Sequence, residues 1–219
     1  MILAAIGDIA GNFSAFLDAL DAIGEAGIAT VVHTGNCLVG GEEGAQVVEC
    51  IEARRVVAVQ GEEDRRAVHF HRRRDQWRAR LPEEEYAALA QAHAKTPGAQ
   101  LEFLRALPRT RRFEVDKRTV FLCYGAPSSR STIVDEHTPL MRLQREREVA
   151  VADVVICGGA SAPFSRMVDG TFFVAPGPLA PAPEHACYTL IDTEKSPWRA
   201  TLLDAAADSG EMGEQFDEL

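Results

Sequence analysis

The chain has 219 residues, 46% apolar and 26% charged, with 33 acidic against 23 basic side chains and a formal net charge of -10. That length fits one large domain with a substantial core, and the acidic balance argues against a general nucleic-acid binder, which carries a basic surface. No apolar run approaches the roughly 18–20 residues that cross a bilayer, and "MILAAIGDIAG" lacks a basic n-region and is broken by Asp8, so it reads poorly as a signal peptide.

Short apolar runs alternate with helical patterns in the first half. The run "MILAAI" precedes a helix over about 13–26, then "ATVVHTG", a helix over about 43–53, and "RVVAVQG". This βαβαβ order predicts parallel strands with right-handed crossovers. Each strand ends in a glycine-containing polar turn: "GDIAGN", "TGNCLVGG" and "GEEDRR". In open α/β sheets ligand sites form at these carboxyl ends.

A polar, helical insertion is expected over about 65–107. Its first helix, "RRAVHFHRRRDQWRAR", carries seven arginines, and Phe70 and Trp77, seven apart, predict one apolar stripe that packs into the core. The segment "LPEEEYAALAQAHA" starts a second helix, with proline at its first turn and acids after it, and "PGAQLEFLRALP" reads as a third. The second half returns to strands, with hairpin turns at "VDKR" and "VDGT" that predict a mainly antiparallel or mixed sheet. From Asp204 the stretch 204–219 holds six acids and no base, and reads as a flexible acidic tail beyond a domain spanning 1–203. Three of the five cysteines lie in strand-like runs ("FLCYG", "VVICGG", "HACYTL") and none forms a CxxC pair, which predicts buried thiols and a reducing, cytoplasmic compartment.

These motifs, in this order and spacing, resemble the calcineurin-like metallophosphoesterases of the small bacterial and archaeal phosphodiesterase type. The segments "LPRTRRFEV…TVFLCYG" and "GGASAPF…DGTFFVAPGPLAP" resemble the family's "LP…HG" and "GHTHxPF…NPGS" stretches, so the resemblance covers nearly the whole chain. It implies an α/β fold, a four-layer αββα sandwich of two mixed β-sheets. It also implies two divalent metals at the strand-end loops.

The ligand positions implied by the resemblance are mostly substituted. Asp8 stands at the first ligand, but Ala10 replaces the histidine two residues later, and Asn36 takes the place of the bridging aspartate. Glu62 and Glu63 replace the ligand asparagine and the catalytic histidine. Tyr124 replaces the later histidine, and Gly159 and Ser161 stand where the last two histidines belong. Hydrolysis by this family needs a metal-bound hydroxide and a histidine near the leaving group, and two adjacent cations need several anionic or imidazole ligands. None of the six histidines stands at a ligand position; His33, on a buried-looking strand, is expected to be a core residue.

Asp8, Asn36, Glu62 and Glu63 are expected to converge at neighbouring strand ends. Such acids protonate, pair with arginine, or bind a cation, and Arg65 and Arg66 follow directly. The alternative is a single hard cation, Mg²⁺, Mn²⁺ or Ca²⁺, on oxygen ligands, with Glu63 as a general acid if its pKa were raised. Arg65, Arg66, Arg72, Arg73 and Arg74, with Arg78 and Arg80, fit either an anion- or partner-binding face or a solvated helix balanced by Glu83, Glu84, Glu85 and the tail; the solvated helix is the expectation.

Two functions follow. One is a catalytically degenerate, non-enzymatic interaction, scaffold or ligand-binding module with no cofactor, whose partner is another protein, with a phosphate or nucleotide in the old cleft as a further possibility. The small retromer subunit, which resembles these phosphodiesterases, is a scaffold precedent in the same fold. The other is a divergent metal-dependent phosphoesterase with a reduced oxygen-ligand site. Membrane and nucleic-acid partners are not expected.

Overall fold

The computed structural model describes residues 1–39, 43–180, 186–194 and 196–205. Strands β1 (Ile2–Ile6), β2 (Val31–His33) and β3 (Val57–Ala58) alternate with helices α1 (Phe13–Glu25) and α2 (Gly44–Ala53). The strands pair in parallel, with Ile6 beside His33 and His33 beside Ala58. Helix α1 forms because Ala15, Phe16, Ala19, Leu20 and Ile23 recur every three or four residues and bury one face. Its free first-turn amides are met by Asn12, whose Oδ1 accepts from the Ala15 N–H at 3.2 Å. Strand β3 is shorter than "RVVAVQG" suggests. The Gln60 N–H leaves the ladder there and donates to the Pro108 carbonyl.

The helical insertion holds four helices rather than three: α3 (Glu62–Val68), α4 (Phe70–Arg80), α5 (Glu83–Lys95) and α6 (Gly98–Ala106). The single helix expected over 65–80 breaks at His69. The break turns α4 so that Phe70 and Trp77 both reach the core, where Phe70 packs on Tyr86 with ring centroids 5.7 Å apart. The expected apolar stripe is therefore buried.

The second half supplies β4 (Thr110–Val115), β5 (Arg118–Tyr124), α7 (Leu140–Ala150), β6 (Val154–Gly158), β7 (Phe164–Val168), β8 (Thr171–Ala175), β9 (Cys187–Asp192) and β10 (Arg199–Asp204). Both predicted hairpins are present. Asp116 and Lys117, and Asp169 and Gly170, have positive φ, as two-residue turns of the primed type require. Because β10 includes Asp204, paired with Cys187, the expected tail starts no earlier than Ala205; residues 206–219 lie outside the described residues.

The strand orders are β10-β9-β1-β2-β3 and β4-β5-β6-β8-β7, two mixed five-stranded sheets. Leu3, Ala5 and Val32 of the first sheet meet Leu122, Ile156 and Val174 of the second in a core between them. The outer face of the first sheet is covered by α1, α2 and the insertion, that of the second by α7. This is the expected αββα sandwich. Among the described residues no helix is long and apolar enough to cross a membrane.

Candidate functional site

The carboxyl ends of β1, β2 and β3 lie side by side, and their loops hold one another. The Ile9 and Ala10 N–H groups donate to the Asn36 carbonyl at 3.1 and 3.0 Å, and the Gly11 N–H donates to the Cys37 carbonyl at 3.0 Å. Ala10 and Asn36 both adopt left-handed backbone, with φ of 50° and 61°. Asparagine tolerates that region well, whereas alanine is strained there. The β1–α1 turn thus keeps a demanding conformation at a position with no functional side chain.

Asn36 organises the centre. Its Nδ2 donates to Asp8 Oδ2 at 2.9 Å and to the Tyr124 hydroxyl at 2.8 Å, and its Oδ1 accepts from the Glu63 N–H at 3.0 Å. Both amide hydrogens and the carbonyl are used. The reversed amide would face the Glu63 N–H with another donor, so the surroundings fix its orientation.

Asp64 anchors the same loops and is fully buried. Its Oδ2 accepts from the Asn36 N–H at 2.8 Å and the Gly61 N–H at 3.0 Å, and its Oδ1 accepts from the Cys37 N–H at 3.0 Å and the Leu38 N–H at 3.3 Å. Gly61 lies so close to this loop that an added Cβ would sit 2.1 Å from Asn36 N. In sequence Asp64 is only the last of three successive acids. The available signal was spacing: an acid at the third position of a helix that starts after Gly61 reaches back to cap it.

Glu62 does not join Asp8 and Asn36 as expected. It pairs with Arg65 at 2.6 Å and Arg66 at 3.3 Å. Burial pushes its carboxyl up, but the Arg65 hydrogen bond and the charges of Arg65, Arg66 and Arg130 outweigh that and hold it below its ordinary value. Its place as the first residue of α3 turns it toward its own helix.

Burial raises the partly buried Asp8 from 3.8 to about 7; Asn36 opposes this, and the charges of Asp64 and Glu63 add to it. Asp8 Oδ1 is sealed from solvent and has no hydrogen-bond partner. Burial, with the Asp64 charge, also raises Glu63. Burial and the Asp8 charge push the Tyr124 phenol above its ordinary value, so it stays neutral.

Tyr124 also fills space. A Cβ at Gly159 would lie 2.9 Å from Tyr124 Cζ and 2.8 Å from Ile133 Cδ1, and Gly159 itself has φ of 84°. Ser161 is exposed and Ala10 only partly buried; neither joins the Asp8–Asn36–Tyr124 contacts. His33 is buried on β2, with Nδ1 3.3 Å from the Ile6 carbonyl and Nε2 unpartnered, and burial lowers its pKa. Arg72, Arg73 and Arg74 are exposed on α4. Among the described residues no three His, Cys, Asp or Glu side chains are grouped to hold a metal ion.

The family model of the calcineurin-like phosphoesterase superfamily domain matches residues 1–196, and the chain belongs to that superfamily. Among solved structures it is similar to a hypothetical protein from Pyrococcus horikoshii, at 22% identity and a TM-score of 0.79 over 95% of this chain and 89% of that one. It is also similar to a metallophosphoesterase from Sphaerobacter thermophilus, at 17% identity and 0.66 over 93% and 87%. Vacuolar protein sorting 29 from Cryptosporidium parvum follows at 15% identity and 0.55, over 99% and 98%. At these identities the likeness is one of fold. A comparison with curated proteins gives no match.

Proposed function

We propose that this protein is a non-enzymatic member of the superfamily, an interaction or ligand-binding module built on a phosphoesterase framework. The observation that carries this reading is the side-chain amide of Asn36. A pair of cations needs a bridging carboxylate and several anionic or imidazole ligands. Here the bridging position presents N–H groups to Asp8 and Tyr124, and its one oxygen is taken by the Glu63 N–H. Tyr124 stays neutral, whereas a phenol is a useful ligand only as its anion. Gly159 and Ala10 offer no side-chain donor. These residues do not fit a two-metal centre.

The partner suited to such a module is another protein, and free thiols at all five cysteines suit a reducing cytoplasm. The test is hydrolysis of bis(p-nitrophenyl) phosphate by the purified protein with Mn²⁺. This reading expects no turnover above that of Asp8→Ala. Metal-dependent turnover that Asp8→Ala abolishes would overturn it.

One observation favours a second reading, a reduced site for a single Mg²⁺, Mn²⁺ or Ca²⁺ ion. Asp8 Oδ1 is buried without a partner, and a cation on that oxygen would relieve its desolvation. Glu63, whose charge acts on Asp8, is a second carboxylate for such a site. This reading expects cation binding that vanishes in Asp8→Asn.

A further inference from the structure

Exposed apolar side chains are concentrated on one element. Among the described residues the large ones are Ile2, Leu140, Met141, Val149 and Val151, and all but Ile2 lie on α7 or directly after it. Single exposed apolar residues are ordinary, whereas a cluster marks a contact surface. Helix α7 packs on the second sheet through Leu143 and Ala150. At about 3.6 residues per turn, Met141, Arg145 and Glu148 fall on the opposite side. All three are exposed, and Arg145 Nη2 lies 3.9 Å from Met141 Sδ.

The end of α7 presents Val151 to solvent. Val151 has φ of 47° and ψ of 56°, a left-handed cap that glycine or asparagine usually fills and that strains a β-branched side chain. Its N–H donates to the Arg147 carbonyl, and its own carbonyl accepts from Arg112 Nη2. These bonds hold the residue in place, yet burial does not offset the strain, because Val151 is 61% exposed. Beside it lies a cavity of about 380 Å³, lined by Arg147, Glu148, Val151 and Ala152 together with Thr119 and Thr171.

This face is complementary to itself. A two-fold axis crossing α7 midway between Arg145 and Glu148 sets two copies antiparallel. Arg145 of each copy then faces Glu148 of the other, and Met141 falls opposite Ala152, in the lining of the cavity beside Val151. Such a two-fold contact uses the same patch twice. The charges are available for it. Within α7 Arg142 pairs with Glu146 at 2.7 Å, and among the described residues Arg145 and Glu148 make no ion pair. Helix α7 carries three arginines against two glutamates on a chain of net charge -10, so two copies approach here without the repulsion of the acidic surface. A lipid surface fits less well, since Glu148 stands within the stripe where an interfacial helix carries apolar side chains.

We propose that α7 is the interface of a homodimer, with Arg145 on Glu148 of the second copy and Met141 in the cavity beside its Val151. One helix face buries little area, so the dimer is weak and depends on concentration. None of these residues joins the Asp8–Asn36–Tyr124 contacts, so the proposal stands whether or not the protein hydrolyses phosphoesters.

The test is sedimentation velocity of the purified full chain from about 1 to about 200 µM, which should show a monomer–dimer equilibrium. Met141→Asp should weaken association at least about tenfold. Arg145→Glu and Glu148→Arg set like charges across the axis, and each should weaken it at least about fivefold. The double variant Arg145→Glu with Glu148→Arg restores opposite charges and should return within about threefold of wild type. All these side chains are exposed, and an unchanged circular dichroism spectrum confirms that the fold survives. A monomer at about 200 µM, a dimer indifferent to Met141→Asp, or a double variant as weak as the single ones overturns the proposal. Sedimentation of the chain with phosphatidylserine vesicles, lost in Met141→Asp, overturns it in favour of a lipid surface.

Discussion

Asn36, in the loop after β2, and Tyr124, 88 residues on at the end of β5, meet at 2.8 Å where the loops of the two sheets converge. The contact ties the end of β2 to the end of β5, and Tyr124 is 9% exposed. Removing the hydroxyl with Tyr124→Phe leaves an Asn36 N–H unpaired in a protected place. The expected loss is about 1–2 kcal/mol, read as a lower urea midpoint with an unchanged slope. An unchanged midpoint would mean that the bond contributes nothing to stability.

Asp64 and Glu62 stand two residues apart and should respond very differently. Asp64→Asn replaces an acceptor of four backbone N–H bonds with a group that is half donor, at a fully buried position. It should cost about 3 kcal/mol or more. Glu62→Gln weakens partly exposed pairs with Arg65 and Arg66 and should cost less than about 1 kcal/mol. Denaturant unfolding of both variants checks the contrast, and comparable losses would contradict these roles.

The pH dependence has a definite sign. The Asp8 pKa is near 3.8 in the unfolded chain and about 7 in the folded one. Between these values the folded state holds more protons, so the Asp8 contribution is fully present below about 3.8 and is lost as pH rises to about 7. Glu63, also raised by burial, acts in the same direction. Asp8→Asn should therefore flatten the fall in stability across this window and be more stable than wild type at pH 8. Parallel stability–pH curves for the two proteins would contradict it.

Gly159→His would bring back the residue type that the family carries there, but not its setting. The backbone is left-handed and the Cβ meets Tyr124, so a loss of about 2–4 kcal/mol is expected. Adding Tyr124→Ala removes the clash with Tyr124 and leaves the contact with Ile133 Cδ1 and the φ strain, so the two losses should fall short of additive by about 1 kcal/mol or more. Strict additivity in a thermal-unfolding cycle would show that Tyr124 does not occupy the space.

The framework was legible in the sequence because its signals are local. "VDKR" and "VDGT" need positive φ at their centres and so declare their hairpins, while "GDIAGN", "TGN" and "GEED" mark where strands stop. The roles of the site residues were less legible because they depend on distant contacts. Glu62, Glu63 and Asp64 look alike in a row. Only the start of α3 at Glu62 sends Asp64 into the core and Glu62 toward Arg65. The meeting of Tyr124 with Asn36 depends on how the two sheets stack, which no local pattern encodes. The break at His69 follows from packing, since both Phe70 and Trp77 reach the core once α4 is turned relative to α3.

The hydrogen bonds that Asn36 donates to Asp8 and Tyr124 stand where metal ligation would be required. Equilibrium dialysis of the native protein against micromolar Mn²⁺, followed by elemental analysis, tests it most directly. The account predicts well under one bound ion per chain, with no difference between wild type and Asp8→Asn. About two ions per chain, lost in Asp8→Asn, would contradict it.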